Sequence, residues 1–350
     1  PAGNLSKWWY VLMKRVVVTG MAGVSPIGNS WETIRSRLQA MDTAITRMDE
    51  GDKYEGMNTR LAAPVMDFET PGYSRKQLRS MGRVAQFGVR SSELALQQAG
   101  LLGSELLASG MVGVSYGSSA GDVDAIADFG NMLLNFSTAG LNANSYIKMM
   151  GHTSPVNIGV FFGLTGRVFT TSSACTSGSQ GIGYGYEAIK NGQQIAMVTG
   201  GCEGLCAPEA AVFDTLFATS VRNDEAHLSP RPFDKDRDGL VIGEGGCTLI
   251  LEELDHALSR GATIHAEVVG YGTNSDGCHV TQPSASTMET AIRLSLKDAN
   301  ISADKIGYVS AHGTATDRGD IAESMATEKV FGKKTPISAL KSFTGHTLGA

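Results

Sequence analysis

A single cysteine lies among small and hydroxyl-bearing residues in the segment TTSSACTSGSQG, residues 170–181. A helix is predicted to begin at about Thr176, which puts the Cys175 thiol at a helix N-terminus, where the dipole and unpaired N–H groups lower a thiol pKa. The small neighbours leave room for a substrate, and the backbone N–H of Cys175 could contribute to an oxyanion hole. The pattern fits both a nucleophile and a small buried core residue, and both interpretations stay open.

Two histidines occupy similar positions, each at the end of a predicted strand. His312 lies in SAHGTATDRGD and His346 in KSFTGHTLGA, and each is next to glycine and close to threonine. Two imidazoles could donate hydrogen bonds to an enolate or to a thioester oxyanion. Metal binding is the alternative, but no HxxxH or HxH pair is present, so we expect no metal.

Charged side chains accompany both histidines. Lys341 precedes His346 by five residues, and its ammonium group could adjust the proton affinity of nearby groups or simply be solvated. Asp320 and Glu323 follow His312 at the start of a predicted helix, where the helix dipole alone favours acidic residues. These carboxylates are therefore expected either to order the site through Lys341 or to cap the helix.

The elements that must position these residues alternate along the chain. Short β-branched runs end at turn residues, and amphipathic segments suited to helices lie between them. Strands are predicted at 15–20, 111–117, 167–172, 195–201, 247–253, 264–272, 306–313 and 335–340. Helices are predicted at 83–99, 176–190, 252–260, 285–299 and 318–331. This alternation predicts a layered α/β fold with mainly parallel strands.

Three pairs of similar segments occur in the same order in two parts of the chain, which indicates a duplicated α/β unit. VVVTGMAG resembles AEVVGYGTN, VGVSYGSSAGD resembles YVSAHGTATDRGD, and VFTTSSACTSG resembles ISALKSFTGHTLG. We assign one half to residues 13–262 and the other to residues 263–350, with residues 1–12 as an N-terminal extension. If the halves pack about a pseudo-twofold axis, the cysteine and both histidines meet in one site.

Two segments are predicted to lie on the surface and to contact other molecules. The first half contains an insertion, roughly residues 121–160, that is rich in Asn, Phe and Met, and we interpret it as a lid or a dimer-contact region. The second segment is the basic stretch at 73–83, in which a spacing of four residues is typical of one helical face. Its cations are Arg75, Lys76, Arg79 and Arg83. This face is either ordinary solvated surface or a dock for an acidic carrier.

Composition limits the class of protein. The net charge of −6 argues against a general nucleic-acid-binding protein. No apolar run approaches the length of a membrane span and no signal peptide is visible, so we expect no membrane insertion. Five cysteines without paired spacing fit a reducing cytoplasm. The glycine-containing segments match neither a Walker loop nor a dinucleotide fingerprint, so no nucleotide cofactor is expected.

The motifs around these residues resemble those of the β-ketoacyl-[acyl-carrier-protein] synthases, and most closely the elongating type with two histidines (synthase II-like). The resemblance rests on SSACTSG, RPFDKDRDGLVIGEGG, AHGTATDRGD and LKSFTGHTLGA, in this order, and extends from Met13 to the end of the chain. It implies the thiolase-like fold, in which two repeated halves form five layers, α-β-α-β-α. It also implies a homodimer, an acyl carrier protein as partner, and no cofactor beyond the phosphopantetheine that the carrier brings.

The resemblance also implies residue roles in a decarboxylative Claisen condensation. Cys175 takes an acyl chain from acyl carrier protein as a thioester. His312 and His346 assist decarboxylation of malonyl-acyl carrier protein and stabilise the enolate. The enolate then attacks the thioester and gives 3-oxoacyl-acyl carrier protein, the product of one step of fatty acid elongation. Lys341 and Glu323 support this arrangement.

Binding residues are implied in the same way. Thr314 and Thr316 resemble the residues that hold the phosphopantetheine arm. The basic stretch at 73–83 resembles a helix that docks the acidic carrier protein. Members of the family continue with a further helix and closing strands after the position of Ala350, so we expect the C-terminal half to be truncated here.

Other interpretations remain open from the sequence. One is a polyketide-type ketosynthase, and a second is a Cys/His acyltransferase or hydrolase that needs Cys175 and only one histidine. A third is a non-catalytic, truncated condensing-enzyme fold. Failure of Cys175 to accept an acyl group in a folded sample would favour the third.

Overall fold

The computed structural model describes residues 13–278 and 282–350, and the predicted extension at 1–12 lies outside them. The strands are β1 (Val16–Val24), β2 (Thr46–Arg47), β3 (Leu61–Ala63), β4 (Val112–Gly117), β5 (Val168–Thr171), β6 (Ala196–Glu203), β7 (Ile242–Gly243), β8 (Gly245–Glu253), β9 (Ala266–Val268), β10 (Val309–Ser310) and β11 (Ile337–Ser338). The helices are α1 (Trp31–Gln39), α2 (Arg75–Leu78), α3 (Arg83–Gln98), α4 (Val123–Asn135), α5 (Ala143–Met149), α6 (Thr153–Phe162), α7 (Ser177–Lys190), α8 (Ala207–Thr215), α9 (Leu254–Ser259), α10 (Ala285–Ala299), α11 (Asp317–Phe331) and α12 (Lys341–Thr344).

Six strands form the main sheet, in the order β5-β4-β6-β8-β1-β9. β4 runs parallel to β5 and β6, whereas β8 runs antiparallel to both β6 and β1, and β9 runs antiparallel to β1. The prediction of mainly parallel strands was therefore wrong for this sheet, which is mixed. An apolar β-branched run identifies a buried strand but carries no signal for its direction.

Helices cover both faces of the main sheet. Phe87 of α3 packs in one apolar cluster with Ile250, and Ile189 of α7 packs in another with Leu251. Ile250 and Leu251 are consecutive residues of β8, and consecutive side chains of a strand point to opposite faces. The helices predicted at 83–99 and 176–190 therefore lie on opposite sides of the sheet.

The C-terminal half packs against the far side of α7. A Cβ on Gly183 would lie 2.2 Å from the Tyr271 ring, so glycine is required for this close approach. Lys190 of α7 pairs with Asp298 of α10 at 2.6 Å. α10 in turn packs against α11, and β10 pairs in parallel with β11. α7 is thus a central layer between the main sheet and the C-terminal half, which agrees with the layering that the family resemblance implies.

The segment predicted as an insertion at 121–160 contains α4, α5 and most of α6. α6 is anchored, since Ile158 is fully buried in the cluster beneath α3. α4 is mostly exposed, and Phe136 at its end is 96% exposed. Within the described residues, no helix combines the length and apolar character needed to cross a membrane.

Candidate active site

The turn before α7 places Cys175 close to the start of that helix. β5 ends at Thr171, and Ala174 adopts a left-handed conformation with a φ of 51°, which is uncommon for a residue with a side chain. The hydroxyl of Ser177 accepts a hydrogen bond from the N–H of Ser173 at 2.9 Å and donates to the carbonyl of Ala174 at 2.7 Å. The turn is therefore held by its own side chains, and the thiol lies two residues before the helix begins.

His346 is held by pairing with an extended segment of the first half. The His346 N–H donates to the carbonyl of Val241 at 2.6 Å, and the N–H of Gly243 donates to the carbonyl of His346 at 2.9 Å. Gly345 precedes it with a φ of 66°, and a Cβ there would lie 2.9 Å from the Val241 oxygen. Glycine thus allows the chain to turn out of α12 and to direct the imidazole toward Cys175.

The ring of His346 has a defined proton position. The N–H of Leu348 donates to Nδ1 at 3.1 Å, so Nδ1 is an acceptor and, in the neutral ring, Nε2 carries the proton. Nε2 lies 3.1 Å from Sγ of Cys175. The ring therefore donates toward sulfur, and it is not placed to remove the thiol proton.

His312 completes a cluster of three reactive side chains. Its ring centroid lies 5.2 Å from that of His346, with the two rings nearly perpendicular at 84°. Ligand atoms of Cys175, His312 and His346 all lie within 4.8 Å of one another. The structure thus brings together three residues that are up to 171 positions apart in sequence.

Lys341 and Glu323 both contact the backbone at residue 312. Nζ of Lys341 donates to the carbonyl of His312 at 2.7 Å. The two carboxylate oxygens of Glu323 accept from the N–H groups of His312 and Gly313, at 2.7 and 2.8 Å. Of the two roles left open for Glu323, the structure shows an ordering contact with the histidine segment. Both side chains fix the position of that segment.

The thiol is less acidic than the helix dipole alone predicts. Burial raises the pKa of Cys175, although the positive charge of Lys341 and the residue's own N–H oppose the change. The thiol packs beside an apolar cluster that includes Leu240, Ile242 and Leu348, which excludes water from it. The predicted direction of the pKa shift was therefore wrong, because desolvation outweighs the helix terminus.

Both imidazoles are neutral at neutral pH. Burial lowers the pKa of His346 well below its usual value, and the neighbouring His312, when protonated, and the charge of Lys341 act in the same direction. His312 keeps an exposed face, yet partial burial of its ring, followed by the positive charge of Lys341, lowers its pKa as well. Because solvent reaches part of the His312 ring, we expect the smaller shift there. Two neutral rings can each present an N–H group to a developing oxyanion.

Thr314 and Thr316 lie on the loop between His312 and α11. Their hydroxyls are 2.8 Å apart and hydrogen-bonded to each other. The loop is fixed by Asp320, which accepts from the N–H groups of Ala315 and Phe233 at 3.1 and 2.7 Å. Asp320 therefore links this loop to the glycine-rich segment RPFDKDRDGLVIGEGG of the first half.

The basic stretch predicted to dock a carrier is not one continuous helix. α2 ends at Leu78 and α3 begins at Arg83, with Gly82 in an extended conformation between them. Arg83 therefore does not share a helical face with the other three cations, and that prediction was wrong. A Cβ at position 82 would overlap Asp122, so glycine is required where the helix breaks.

Arg83 is half-exposed, and it also pairs with a buried carboxylate. It donates to the carboxylate of Glu244, at 2.8 and 2.6 Å, and to the carbonyl of Val65 at 2.9 Å. Its guanidinium lies 4.8 Å from the Phe87 ring centroid. The remaining three cations of the stretch stay exposed: Arg75, Lys76 and Arg79.

Two buried carboxyl groups beside the cluster are not among the predicted site residues. Glu203, at the end of β6, accepts hydrogen bonds from the hydroxyl of Ser118 at 2.9 Å and from the N–H groups of Ser119 and Gly349, at 2.6 and 3.2 Å. Glu209 lies in the first turn of α8, only 8% exposed. Glu203 could have been found from the sequence, because it is an acidic residue at the end of an apolar strand that is buried throughout. Glu209 looks like an ordinary helix-start residue and gave no signal.

The three reactive side chains also form a set of metal-ligand type. Thiolate and imidazole are the ligands that zinc prefers, and the ligand atoms of Cys175, His312 and His346 lie close together. The geometry keeps metal binding as a competing interpretation. The expected absence of a metal stays a prediction.

Comparisons with known proteins agree with this arrangement. The family model described as "Beta-ketoacyl synthase, N-terminal domain" matches residues 13–257, and "Beta-ketoacyl synthase, C-terminal domain" matches residues 265–350. The chain is 37% identical over 345 residues to 3-oxoacyl-[acyl-carrier-protein] synthase 2 of Vibrio cholerae, covering 96% of this chain and 83% of the relative.

Solved structures show the same fold. A beta-ketoacyl synthase from Burkholderia phymatum superimposes with a TM-score of 0.95 and 57% identity, over 97% of this chain and 83% of that chain. A type II PKS acyl-carrier protein in complex with its ketosynthase, bound to the hexaketide, superimposes with a TM-score of 0.84 and 29% identity. This match covers 97% of this chain and 83% of that chain. The thiolase-like fold is thus confirmed, and the chain belongs to the β-ketoacyl synthase family.

Proposed function

We propose that this protein extends an acyl chain by decarboxylative condensation with malonyl-acyl carrier protein, as an elongating 3-oxoacyl-[acyl-carrier-protein] synthase. The observation that carries this function is the cluster of one thiol and two neutral imidazoles, with ligand atoms within 4.8 Å of one another. A thiol can hold an acyl group while two N–H donors stabilise an enolate. The similarity to synthase 2 of Vibrio cholerae supports the elongating activity.

In the first half-reaction, the Cys175 thiolate attacks the thioester carbonyl of an acyl-carrier protein. A bond forms between Sγ and the acyl carbon, the bond to the carrier's phosphopantetheine sulfur breaks, and that sulfur leaves as a thiol with the proton that Cys175 gave up. The Nε2–H of His346, 3.1 Å from Sγ, and the charge of Lys341 both favour the thiolate.

In the second half-reaction, the malonyl group loses its carboxylate as CO₂, and the electron pair of the broken bond forms an enolate. The enolate oxygen accepts hydrogen bonds from His346 Nε2–H and from His312. The enolate carbon then attacks the Cys175 thioester, forming the C–C bond as the C–S bond breaks, and the released thiolate takes up a proton. This chemistry requires no cofactor on the protein itself, because phosphopantetheine arrives on the carrier.

The residues around the cluster have positioning roles in this proposal. Lys341 and Glu323 hold the His312 segment through its carbonyl and N–H groups, at distances of 2.7 to 2.8 Å. Thr314 and Thr316 offer hydroxyls on the following loop to the phosphopantetheine arm. Three exposed cations attract the acidic carrier protein: Arg75, Lys76 and Arg79.

We further propose a homodimer formed along β5. This strand is an edge of the main sheet, with half-exposed Val168 at its start, and an unpaired edge can add a partner strand. Exposed apolar side chains of the neighbouring helices lie in the segment predicted as a dimer contact: Leu133, Leu134, Phe136 and Val160.

We also propose that the protein is located in the cytoplasm, where its five free cysteines stay reduced. We propose in addition that it consists of two halves, residues 13–262 and residues 263–350.

Mass spectrometry of the protein mixed with acyl-carrier proteins of several chain lengths tests the proposed function. We expect a mass increase equal to one acyl group, located on Cys175 and absent from Cys175→Ala. Adding malonyl-carrier protein should then release 3-oxoacyl-carrier protein and CO₂. A folded sample in which no acyl group reaches Cys175 contradicts the proposal and favours a non-catalytic fold.

The Cys175→Gln variant separates the two half-reactions. It cannot be acylated, yet it keeps both imidazoles, so we expect malonyl decarboxylation to continue without condensation. Loss of decarboxylation in a well-folded Cys175→Gln protein would count against the roles of His312 and His346. A Cys/His hydrolase, by contrast, needs an unprotonated Nε2 facing the thiol, which the hydrogen bond from Leu348 disfavours.

A further inference from the structure

α8 forms one wall of the region around the reactive thiol. Ala210 and Phe213 of this helix pack with Leu348, and the Cys175 side chain packs against the same apolar cluster. Glu209 directly precedes Ala210 in the helix, and it lies near enough to Cys175 that a negative charge on it would raise the pKa of the thiol. Cys175 and this face of α8 therefore contact the same apolar cluster.

Glu209 is a buried carboxyl group without a hydrogen-bond partner among the described residues. The residue is 8% exposed, and no described group makes a hydrogen bond of good geometry to either of its carboxylate oxygens. The neighbouring Cys206 thiol is a weak partner at most. A buried polar group left unpaired destabilises a fold by about 1–3 kcal/mol, so a bound group that hydrogen-bonds Glu209 would gain affinity from that contact.

The contrast with Glu203 shows that burial alone does not explain Glu209. Glu203 is also fully buried, but its oxygens accept hydrogen bonds from Ser118, Ser119 and Gly349. These bonds saturate Glu203 and link the two halves of the molecule. Glu209 has no comparable set of donors among the described residues, where the Cys206 thiol is the neighbouring weak partner.

Glu209 is a neutral acid at neutral pH. Burial, and then the negative charge of Glu203, raises the pKa of Glu209 to about 8. A neutral carboxyl group has one O–H donor and a carbonyl acceptor, whereas a carboxylate only accepts. The complementary group is therefore an uncharged oxygen function that accepts or donates one hydrogen bond, and a hydroxyl or a ketone has this property.

We propose that Glu209 is a specificity residue of the acyl-binding region and that the site prefers acyl groups bearing a hydroxyl or keto oxygen over unsubstituted acyl groups. This inference rests on the proposed function, because it requires an acyl group on Cys175. The Glu209 carboxyl hydrogen-bonds the substituent oxygen and loses its unpaired state only when such a chain is bound. A plain alkyl chain leaves the carboxyl unpaired, and the site discriminates against it for that reason.

Competition between acyl-carrier proteins tests this preference. The protein is mixed with a saturated acyl-carrier protein and with hydroxylated or ketone-bearing acyl-carrier proteins of equal chain length, the oxygen placed at successive carbons. The rates of acylation at Cys175 are compared by mass spectrometry. We expect at least one oxygenated chain to be favoured by about tenfold, the ratio expected for one hydrogen bond.

Variants at position 209 test whether Glu209 is the cause of the preference for oxygenated chains. We expect Glu209→Leu to abolish it and to accelerate acylation by the saturated chain, whereas Glu209→Gln, which can still donate and accept, keeps most of it. Glu209→Met is a second apolar variant if Glu209→Leu does not fold. Glu105→Leu changes an exposed glutamate of a separate short helix and should leave the ratio unchanged.

The outcomes separate this inference from the proposed function. Equal rates for all substituents in the unmodified protein overturn the specificity role, and so does a preference that persists in Glu209→Leu or Glu209→Met. Saturated and oxygenated chains would still acylate Cys175 in those cases. If no chain acylates Cys175 at all, the proposed function itself fails.

Discussion

The N–H of Leu348 donates a hydrogen bond to Nδ1 of His346 at 3.1 Å, and this contact determines what the imidazole can do. With Nδ1 occupied as an acceptor, the proton of the neutral ring is on Nε2, which faces Cys175. Leu348 itself has a φ of 46°, uncommon for a leucine, so the chain adopts an unfavourable conformation where this N–H is presented. His346 is thus built as a hydrogen-bond donor.

Replacement of His346 tests the donor role. We expect His346→Ala to lower malonyl decarboxylation by about 10²- to 10³-fold, the loss typical of one oxyanion donor, while Cys175 still accepts acyl groups. His346→Gln can place an amide N–H near the position of Nε2, so it should retain more decarboxylation than the alanine variant. The measurement is CO₂ release from malonyl-carrier protein, with exposed His227→Ala as the control. Equal activity of the two variants would contradict the donor role.

The two half-reactions should differ in their dependence on pH. Because the pKa values of His312 and His346 are lowered from 6.5, both rings stay neutral at mildly acidic pH. We expect decarboxylation by Cys175→Gln to be constant from neutral pH down to 6.5 and to fall only at lower pH. Because the pKa of Cys175 is raised from 9.0, acylation of the unmodified protein should still increase as the pH rises through 9.0.

The rates of CO₂ release and of acyl-enzyme formation, measured over this pH range, check both profiles. Decarboxylation that is half lost at 6.5 would show imidazoles with ordinary pKa values. Decarboxylation that increases on acidification would show that the charged imidazole is the active form. Acylation that reaches a plateau well below pH 9.0 would show a thiol activated by the helix terminus, as the sequence alone predicts.

Arg83 should behave differently from the exposed cations near it. Arg83→Ala leaves the carboxylate of Glu244, whose side chain is 3% exposed, without its cation. We expect a loss of roughly 2–3 kcal/mol in the free energy of unfolding, at the low end for a buried pair because Arg83 is half-exposed. Arg79→Ala should leave stability within about 0.5 kcal/mol and instead weaken carrier binding, more so at low salt. Urea unfolding and carrier-binding titrations distinguish the two residues, and a stable Arg83→Ala with weakened binding would reverse the assignment.

The zinc-type ligands of the cluster lead to another prediction. We expect added Zn²⁺ to inhibit condensation by binding Cys175, His312 and His346, and a chelator to restore the activity. The chelator alone should leave the activity of the purified protein unchanged. Cys175→Gln, which lacks the thiolate, should show much weaker inhibition of its decarboxylation. Activity that disappears with the chelator and returns with zinc would show a metal enzyme instead.

Helices with strong apolar periodicity were predictable from the sequence. α3, α7, α10 and α11 lie within two residues of their predicted bounds. An amphipathic face repeats along the first three of these helices. The convergence of Cys175 with His312 and His346 also followed from the internal repeat. Local pattern and repeat are both encoded in residue order, which is why they could be read directly.

Contacts between distant segments were not predictable in the same way. The direction of β8 depends on its pairing partners, and apolar runs look alike in either direction. The role of Arg83 depends on Glu244, 161 residues away, and no spacing rule relates the two. The pKa of Cys175 likewise depends on which apolar side chains exclude water from it, and these come from three separate segments.

Asp214 joins the end of α8 to the segment before β3. It is 4% exposed and accepts hydrogen bonds from the N–H groups of Asn58 and Thr59 and from the hydroxyl of Thr219, at 2.8 to 3.0 Å. Burial alone would raise the pKa of this carboxyl, but the hydrogen bonds outweigh it and lower the pKa from 3.8. A carboxyl with a lowered pKa stabilises the folded state above its unfolded pKa, and this stability is lost as the pH falls through the folded pKa.

Asp214→Asn should therefore destabilise the protein in a pH-dependent way. We expect a loss of about 2 kcal/mol in the free energy of unfolding at neutral pH, since the amide presents N–H groups to N–H donors. The difference from the unmodified protein should begin to shrink below about pH 4, where Asp214 becomes protonated in the unfolded chain, and should be lost as the pH falls through the lower pKa of the folded state. Urea unfolding at several pH values measures this difference, and exposed Asp67→Asn is the matched control. If the difference in the free energy of unfolding stayed constant to the lowest pH measured, the charge of Asp214 would not contribute to stability. The loss would then come from the changed packing and hydrogen bonding of the side chain.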